Sequence, residues 1–132
     1  MSVPVELGEL GGHVEERGFV AYLLTTGDDG RPHSVAVAFE VGDDGFRCDG
    51  GNRTAGNAAA RPLVSLLWPA RTERDYSLIV DGDATVAGTG DDRRIVVRPT
   101  RAVLHRPASP GNPRPTPGAC GNDCVPLDLP AR

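Results

Sequence analysis

A repeated turn constrains this chain more than any other feature. Gly27-Asp28-Asp29-Gly30 recurs as Gly42-Asp43-Asp44-Gly45, and a third acidic turn runs from Gly88 to Asp92. Glycine and aspartate tolerate the positive φ that tight hairpins demand, so each turn predicts a reversal between strands. The flanking segments agree. Phe19 to Thr26 is β-branched, aromatic and apolar, as a buried strand requires. In His33 to Val41 the residues Val35, Val37, Phe39 and Val41 point one way, and Ser34, Ala36, Ala38 and Glu40 the other. That second face is small and partly polar, so something large can lie against it. Phe46 to Asp49 and Leu63 to Trp68 read as short strands, and Tyr76 to Ala87 as a long one bent at Gly82. Arg94 to His105 begins as a strand in which Pro99 permits only an edge position or a break.

Near the start, Leu7, Leu10 and Val14 share a helical face, which predicts a helix within residues 5–18. Gly11 and Gly12 each weaken it by roughly 1 kcal/mol relative to alanine. About six short strands at close spacing, with one short internal helix, predict a mostly β fold with minor α: a small, largely antiparallel barrel over residues 1–106. Residues 107–132 read as an extended proline- and glycine-rich arm, not a separate domain. Val125, Leu127 and Leu129 give its end a means of docking back.

Composition removes several function classes. The chain has no lysine; all 14 basic residues are arginine. A lysine Schiff base is therefore impossible, and so is a P-loop with its phosphate-binding lysine. Any anion must be held by arginine, hydroxyls and backbone amides. A net charge of −4 argues against nucleic acid as a partner. No apolar run approaches the ~18 residues of a membrane span, and Met1 to Glu6 lacks the pattern of a signal peptide. Cys48, Cys120 and Cys124 are too few for a disulfide framework. The expectation is a cytoplasmic protein with neither membrane nor nucleic-acid partners.

The segment Asp49 to Pro62, DGGNRTAGNAAARP, carries the chemistry. It reads as a glycine turn followed by a short helix. The unpaired amides of a helix start, with the positive end of its dipole, make an anion site. Gly50 and Gly51 allow close backbone approach. Asn52 or Thr54 can cap the helix, and Arg53 can grip a phosphate through two parallel hydrogen bonds. A surface cap with a nearby arginine explains the same residues without a ligand.

Other candidates are weaker. Cys120, Cys124 and His105 fall short of a four-ligand metal pattern, so no metal is expected. His33, at a strand entrance, can donate to a ligand or simply face solvent. The Gly-Asp-Asp turns lack the alternating ligands of a calcium loop. No nucleophile elbow is present, and no catalytic acid or base is assigned.

Four stretches in order, Tyr22 to Thr26, Gly30 to Val35, Gly51 to Asn57 and Pro62 to Trp68, resemble the pyridoxamine 5′-phosphate oxidase-like family of flavin-binding split β-barrels. The resemblance covers roughly residues 19–104. It implies a homodimer with a flavin in each cleft between subunits, FMN first, with the deazaflavin coenzyme or haem as alternatives. By position, Ser34, Val35 and Ala36 would line the isoalloxazine, and Asp49 and Gly50 would flank the ribityl chain. Arg53 and Thr54 would take the phosphate, and Trp68 would cover the ring. Many members carry a second basic residue where Gly56 stands. A proline-rich arm replaces the substrate-binding segment of full-length pyridoxamine phosphate oxidases, so that substrate is not expected. Three readings follow: an FMN- or deazaflavin-dependent oxidoreductase of unknown substrate, a carrier of flavin, deazaflavin or haem without turnover, or a barrel whose cleft is filled by its own arm.

Overall fold

The strands expected around the acidic turns all form in the structure, a computed structural model that describes residues 2–107. Among the described residues there are seven strands: β1 Ser2–Val5, β2 Val20–Thr26, β3 Pro32–Gly42, β4 Gly45–Cys48, β5 Leu63–Trp68, β6 Ser77–Ala87 and β7 Arg94–His105. Helix α1 spans Leu10–Arg17 and α2 spans Asn52–Ala60. Short 3₁₀ turns occupy Leu7–Glu9 and Gly90–Asp92. All pairings are antiparallel. The order β7-β4-β3-β2-β5-β6 closes because β6 also pairs with β7, and β1 adds to β7 as an extra strand outside the ring. The fold is thus a closed six-stranded antiparallel barrel with one added strand and two short helices.

Strand β7 closes the ring and shows how Pro99 is accommodated. One edge of β7 pairs with β6 along its length. Its other edge meets β4 through Ile95 to Val97 and β1 through Ala102 to His105, and Pro99 falls in the gap between them. The register with β6 shifts at Asp81/Gly82, opposite Pro99. The strand therefore continues through the proline, at a bulge where one ladder bond is already lost. Gly82 is required there, because a Cβ would stand 2.7 Å from the Arg98 carbonyl oxygen and from Val97 Cγ1.

The interior is built from the inward faces of the strands. Leu23, Val37, Leu66, Leu78, Val80, Ile95 and Val97 are buried there. Each such side chain contributes roughly 1.5–3 kcal/mol on leaving water. Phe39 is the centre of an aromatic group, edge-on to both Phe46 and Trp68 with ring centroids 5.3 Å apart in each case. Edge-to-face pairs of this kind add attraction beyond their buried area.

The helix expected in residues 5–18 is shorter than the pattern indicated. Its first turn is 3₁₀, Leu10 and Val14 are buried, and Leu7 remains exposed. The first residues form β1, which sequence reading did not identify; Ser2 pairs with His105. Residues 108–132, with Cys120, Cys124 and the proposed docking of Val125, Leu127 and Leu129, lie outside the described residues. Among the described residues, no helix is long and apolar enough to cross a membrane.

Candidate functional site

Helix α2 is slim because its inward face is Thr54, Ala55, Asn57 and Ala58, all buried. Small side chains let it pack closely on β2 and β6. Two polar contacts fix it there. Asn57 Nδ2 donates to Thr25 Oγ1 at 3.1 Å in a buried bond. Arg61, just past the helix, donates through Nε to the Thr26 carbonyl at 2.6 Å and through Nη2 to Asp28 at 2.7 Å. The β2–β3 turn and α2 are thereby held as two walls with a cleft between them.

That cleft has a volume of about 690 Å³ and is lined by Gly27 to Asp29, Arg31 to His33, Arg53, Gly56 and Asn57. Two guanidinium groups and an imidazole face it. Its two carboxylates are already engaged, Asp28 by Arg61 at 2.7 Å and Asp29 by Arg31 at 3.5 Å. Among the described residues, nothing hydrogen-bonds or ion-pairs with the Arg53 side chain, which is exposed at the cleft wall. An unpaired arginine fork of this kind suits a phosphate or carboxylate.

The start of α2 departs from the capping expected of it. Gly51 occupies the N-cap position and no side chain caps the helix. Asn52 Oδ1 instead accepts from Arg93 Nη1 at 2.8 Å, while Arg93 Nη2 donates to the Gly50 carbonyl at 2.8 Å. Arg93, reached only after the last acidic turn, therefore braces the loop leading into the helix. Thr54 is only 2% exposed, and its hydroxyl lies 3.3 Å from His33 Nε2. It positions the imidazole and does not itself face the cleft.

The remaining expected site residues divide between two regions. Ser34 and Ala36 are exposed on the outer face of β3, next to the cleft residue His33. Val35 points the other way and packs against the core, so only its backbone is available to a ligand. Asp49 is exposed, but Gly50 is buried, and a Cβ there would meet Ile95 Cδ1 at 2.7 Å and Thr54 Cγ2 at 3.0 Å. That glycine serves packing beneath the helix, while Gly51 has open space around it. Trp68 is a correction. It is 2% exposed inside the barrel, and its indole Nε1 donates to the Gly18 carbonyl at 3.0 Å. Its alternation within β5 turns it inward, so it offers no face to a ring outside the barrel. Of the lining, sequence reading did not place the Gly27–Asp29 turn, Arg31, Pro32 or Asn57 in the site, and it weighed His33 and Gly56 without assigning them.

Beside the cleft the outer sheet surface is apolar. Leu63 is 75% exposed at the end of the sheet nearest the cleft, and Tyr22 and Val20, exposed by 44 and 61%, follow further along β2 across from Ala36 and Ala38 on β3. A second cleft of about 600 Å³, lined by Leu24, Pro32, Leu63, Ser65, Asp81 and Arg101 among others, shares Pro32 with the first. Asp81 accepts from Ser65 at 2.7 Å and pairs with Arg101 at 3.3 Å. Basic and apolar surfaces thus adjoin. Among the described residues, no three histidine, cysteine or acidic side chains converge as a metal site.

This architecture is shared with solved split-barrel proteins, at identities that show the fold alone. A Listeria innocua protein provisionally designated a pyridoxamine 5′-phosphate oxidase matches with a TM-score of 0.61 and 16% identity, covering 75% of this chain and 98% of that one. The FAD-binding protein of Mycobacterium smegmatis matches with a TM-score of 0.60 and 18% identity, covering 80% and 100%. The haem storage protein HutZ of Vibrio cholerae gives 0.57 and 16%, covering 74% and 92%. The class is therefore the small split barrel that flavin- and haem-binding proteins use. No protein-family model matches the sequence. The chain belongs to the same family as two mycobacterial proteins, Mb0449c of Mycobacterium bovis and MT0457 of Mycobacterium tuberculosis, both termed uncharacterized. Each is 42% identical over 123 residues, covering 83% of this chain and 86% of the relative.

Proposed function

We propose that this protein is a homodimeric flavin-binding oxidoreductase, a divergent member of the pyridoxamine 5′-phosphate oxidase-like group. One observation carries the reading: the unpaired Arg53 shares its cleft with Arg31 and His33, where β3 begins and leads into the exposed strip of Ser34 and Ala36, with exposed Tyr22 across from Ala36 and exposed Leu63 on β5. Such a surface complements a ligand with an anionic tail and a flat, largely apolar head. A flavin has that shape, and proteins of the same fold bind flavins. The residues fit the group. Arg53 and His33 would hold its phosphate end, and the outer face of β3 would support the ring, with a second subunit covering the apolar surface.

A bound flavin would supply the electron transfer. The chain's own contribution is to bind and orient. Arg53 gives a charge-assisted contact, Thr54 fixes the orientation of His33, and the Asn57–Thr25 and Arg61–Thr26 bonds keep the two walls apart at a set distance. None of these residues is assigned a proton-transfer role, and the substrate is a small organic molecule of unassigned identity.

The visible spectrum of purified protein, followed by titration with flavins, tests the reading. A flavin spectrum or saturable flavin binding is expected, and Arg53→Ala should weaken binding by about 1.5–3 kcal/mol, the worth of a charged hydrogen bond. A Soret band in place of flavin absorption would transfer the same cleft to haem. Unchanged affinity in Arg53→Ala would remove the arginine from the site.

A further inference from the structure

We infer that the second cleft, on the outer face of β5, β6 and β7, is a binding site for a small organic acid, whose carboxylate is held by Arg101 and whose apolar body lies against Leu24, Pro32 and Leu63. That this acid is the substrate of an oxidoreductase rests on the flavin reading above; the site itself does not.

The bulge in β7 places the anchor. Arg98 and Arg101 are three residues apart, so a regular strand would send them to opposite faces. Here both stand on the outer face, where Arg98 pairs with Asp83 at 2.9 Å and Arg101 with Asp81 at 3.3 Å. The register accounts for this. Asp81 lies opposite Arg101 and Gly82 opposite Pro99, so Thr100 has no partner on β6 and shifts the alternation by one residue. Thr100 Oγ1 donates to the Asp81 carbonyl at 3.2 Å and secures the extra residue. With a regular strand in its place, Arg101 would face the barrel interior.

Once turned outward, the guanidinium is under-satisfied. It lines the cleft, yet its side chain is only 27% exposed. Among the described residues it makes one hydrogen bond, from Nη1 to Asp81 Oδ2, and that bond is long. A cation largely withdrawn from water is costly unless its donors are engaged. Asp81 does not engage them further, because its other oxygen accepts from Ser65 at 2.7 Å and is tied to β5. The Nε–Nη2 edge of the fork is left over, and such an edge makes two parallel bonds to a planar carboxylate.

Charge selects among anions. Of the described residues that line the cleft, Arg101 is the one cation, with Asp81 and Asp83 beside it on β6. A phosphate dianion would face two carboxylates, and a monoanion is repelled half as strongly. Leu24, Pro32 and Leu63 supply apolar walls. One charged anchor among apolar walls suits a small acid with an apolar body.

Benzoate, titrated into the isotope-labelled full chain and followed by NMR, tests the site. It should shift the signals of Leu24, Leu63 and the Arg101 side chain, while neutral benzamide and dianionic phenyl phosphate should not. Arg101→Gln should weaken benzoate about tenfold or more, the worth of charge-assisted bonds. Arg98→Gln, on the same face but outside the lining, should leave it within about twofold. Asp81→Asn removes a repelling charge, so it should tighten benzoate and admit phenyl phosphate. Circular dichroism on each variant checks that the barrel is intact. Absence of benzoate shifts at these residues, equal binding by Arg101→Gln, or benzamide binding as tight as benzoate overturns the assignment. The titration contains no flavin, so its outcome is separate from that of flavin binding: benzoate binding in a protein that binds no flavin sustains the acid site and removes the redox reading alone.

Discussion

Cys48 shows how a single residue reports the state of the barrel. Its side chain lies inside on β4, 3% exposed, and burial pushes the thiol up to about 11, with the neighbouring Asp49 carboxylate adding to the effect. Reactivity belongs to the thiolate, so the folded protein protects this sulfur. With Cys120 and Cys124 replaced by serine, a thiol reagent at pH 8 should leave Cys48 unmodified until denaturant is added; rapid labelling of native protein would contradict the burial. The sign of the pH dependence follows. An unfolded cysteine ionises near its ordinary value, about 8.5, whereas the folded one retains its proton up to about 11. The stability this group contributes is complete below the lower value and is lost as pH rises through the upper one. Urea midpoints should therefore fall across that alkaline window, and less so in Cys48→Ala. Thr54 and Trp68 teach a different lesson at the same scale. Both were expected to touch a ligand, and both are internal, one orienting His33 and the other bonded to the Gly18 carbonyl. A residue's type fixes which bonds it can make, but the direction of its side chain is decided by the pleat or the helical turn on which it falls.

Among the elements, the long strand β6 depends on Gly82 most directly. The backbone of β7 approaches so closely that Gly82→Ala places a methyl group 2.7 Å from the Arg98 carbonyl oxygen. The substitution should cost about 1–3 kcal/mol through forced backbone shifts, measured by denaturant unfolding; wild-type stability would show that the bulge relaxes freely. The bend at this glycine was readable, as were all three acidic turns and the strands they join, because hairpin chemistry is local. Strand β1 was not readable. Four residues with a proline carry little periodic signal, and their partner lies about a hundred positions away, at His105. The continuation of β7 through Pro99 was missed for a related reason: the proline is tolerated only because two different neighbours share that edge. The candidate site was legible to the same limited degree. Arg53 stood out through the glycines and short helix around it. Arg31 lies in a turn that hairpin chemistry explains fully, and Arg93 braces the helix from forty residues downstream, so neither left a local trace.

For the whole molecule, the apolar outer face bears on assembly. Leu63 is 75% exposed at one end of the outer sheet face that carries Tyr22 and, at its other end, Val20, and exposed apolar side chains spread along one face ordinarily mark an association surface. If twin subunits meet there, Leu63→Arg should convert a dimer to a monomer in sedimentation experiments and weaken flavin binding with it; a native protein that sediments as a monomer would refute the proposed assembly. The ring itself imposes an order on the birth of the protein. Strand β7 is the last strand among the described residues, yet it joins β4, β6 and β1. A chain emerging from the ribosome therefore cannot seal its interior until synthesis has nearly reached the end of that strand. Until then β1 has no partner, and β4 and β6 each keep an open edge. Such a protein completes itself in one late step, and a nascent chain that stalls before His105 presents loose strands for chaperones to guard.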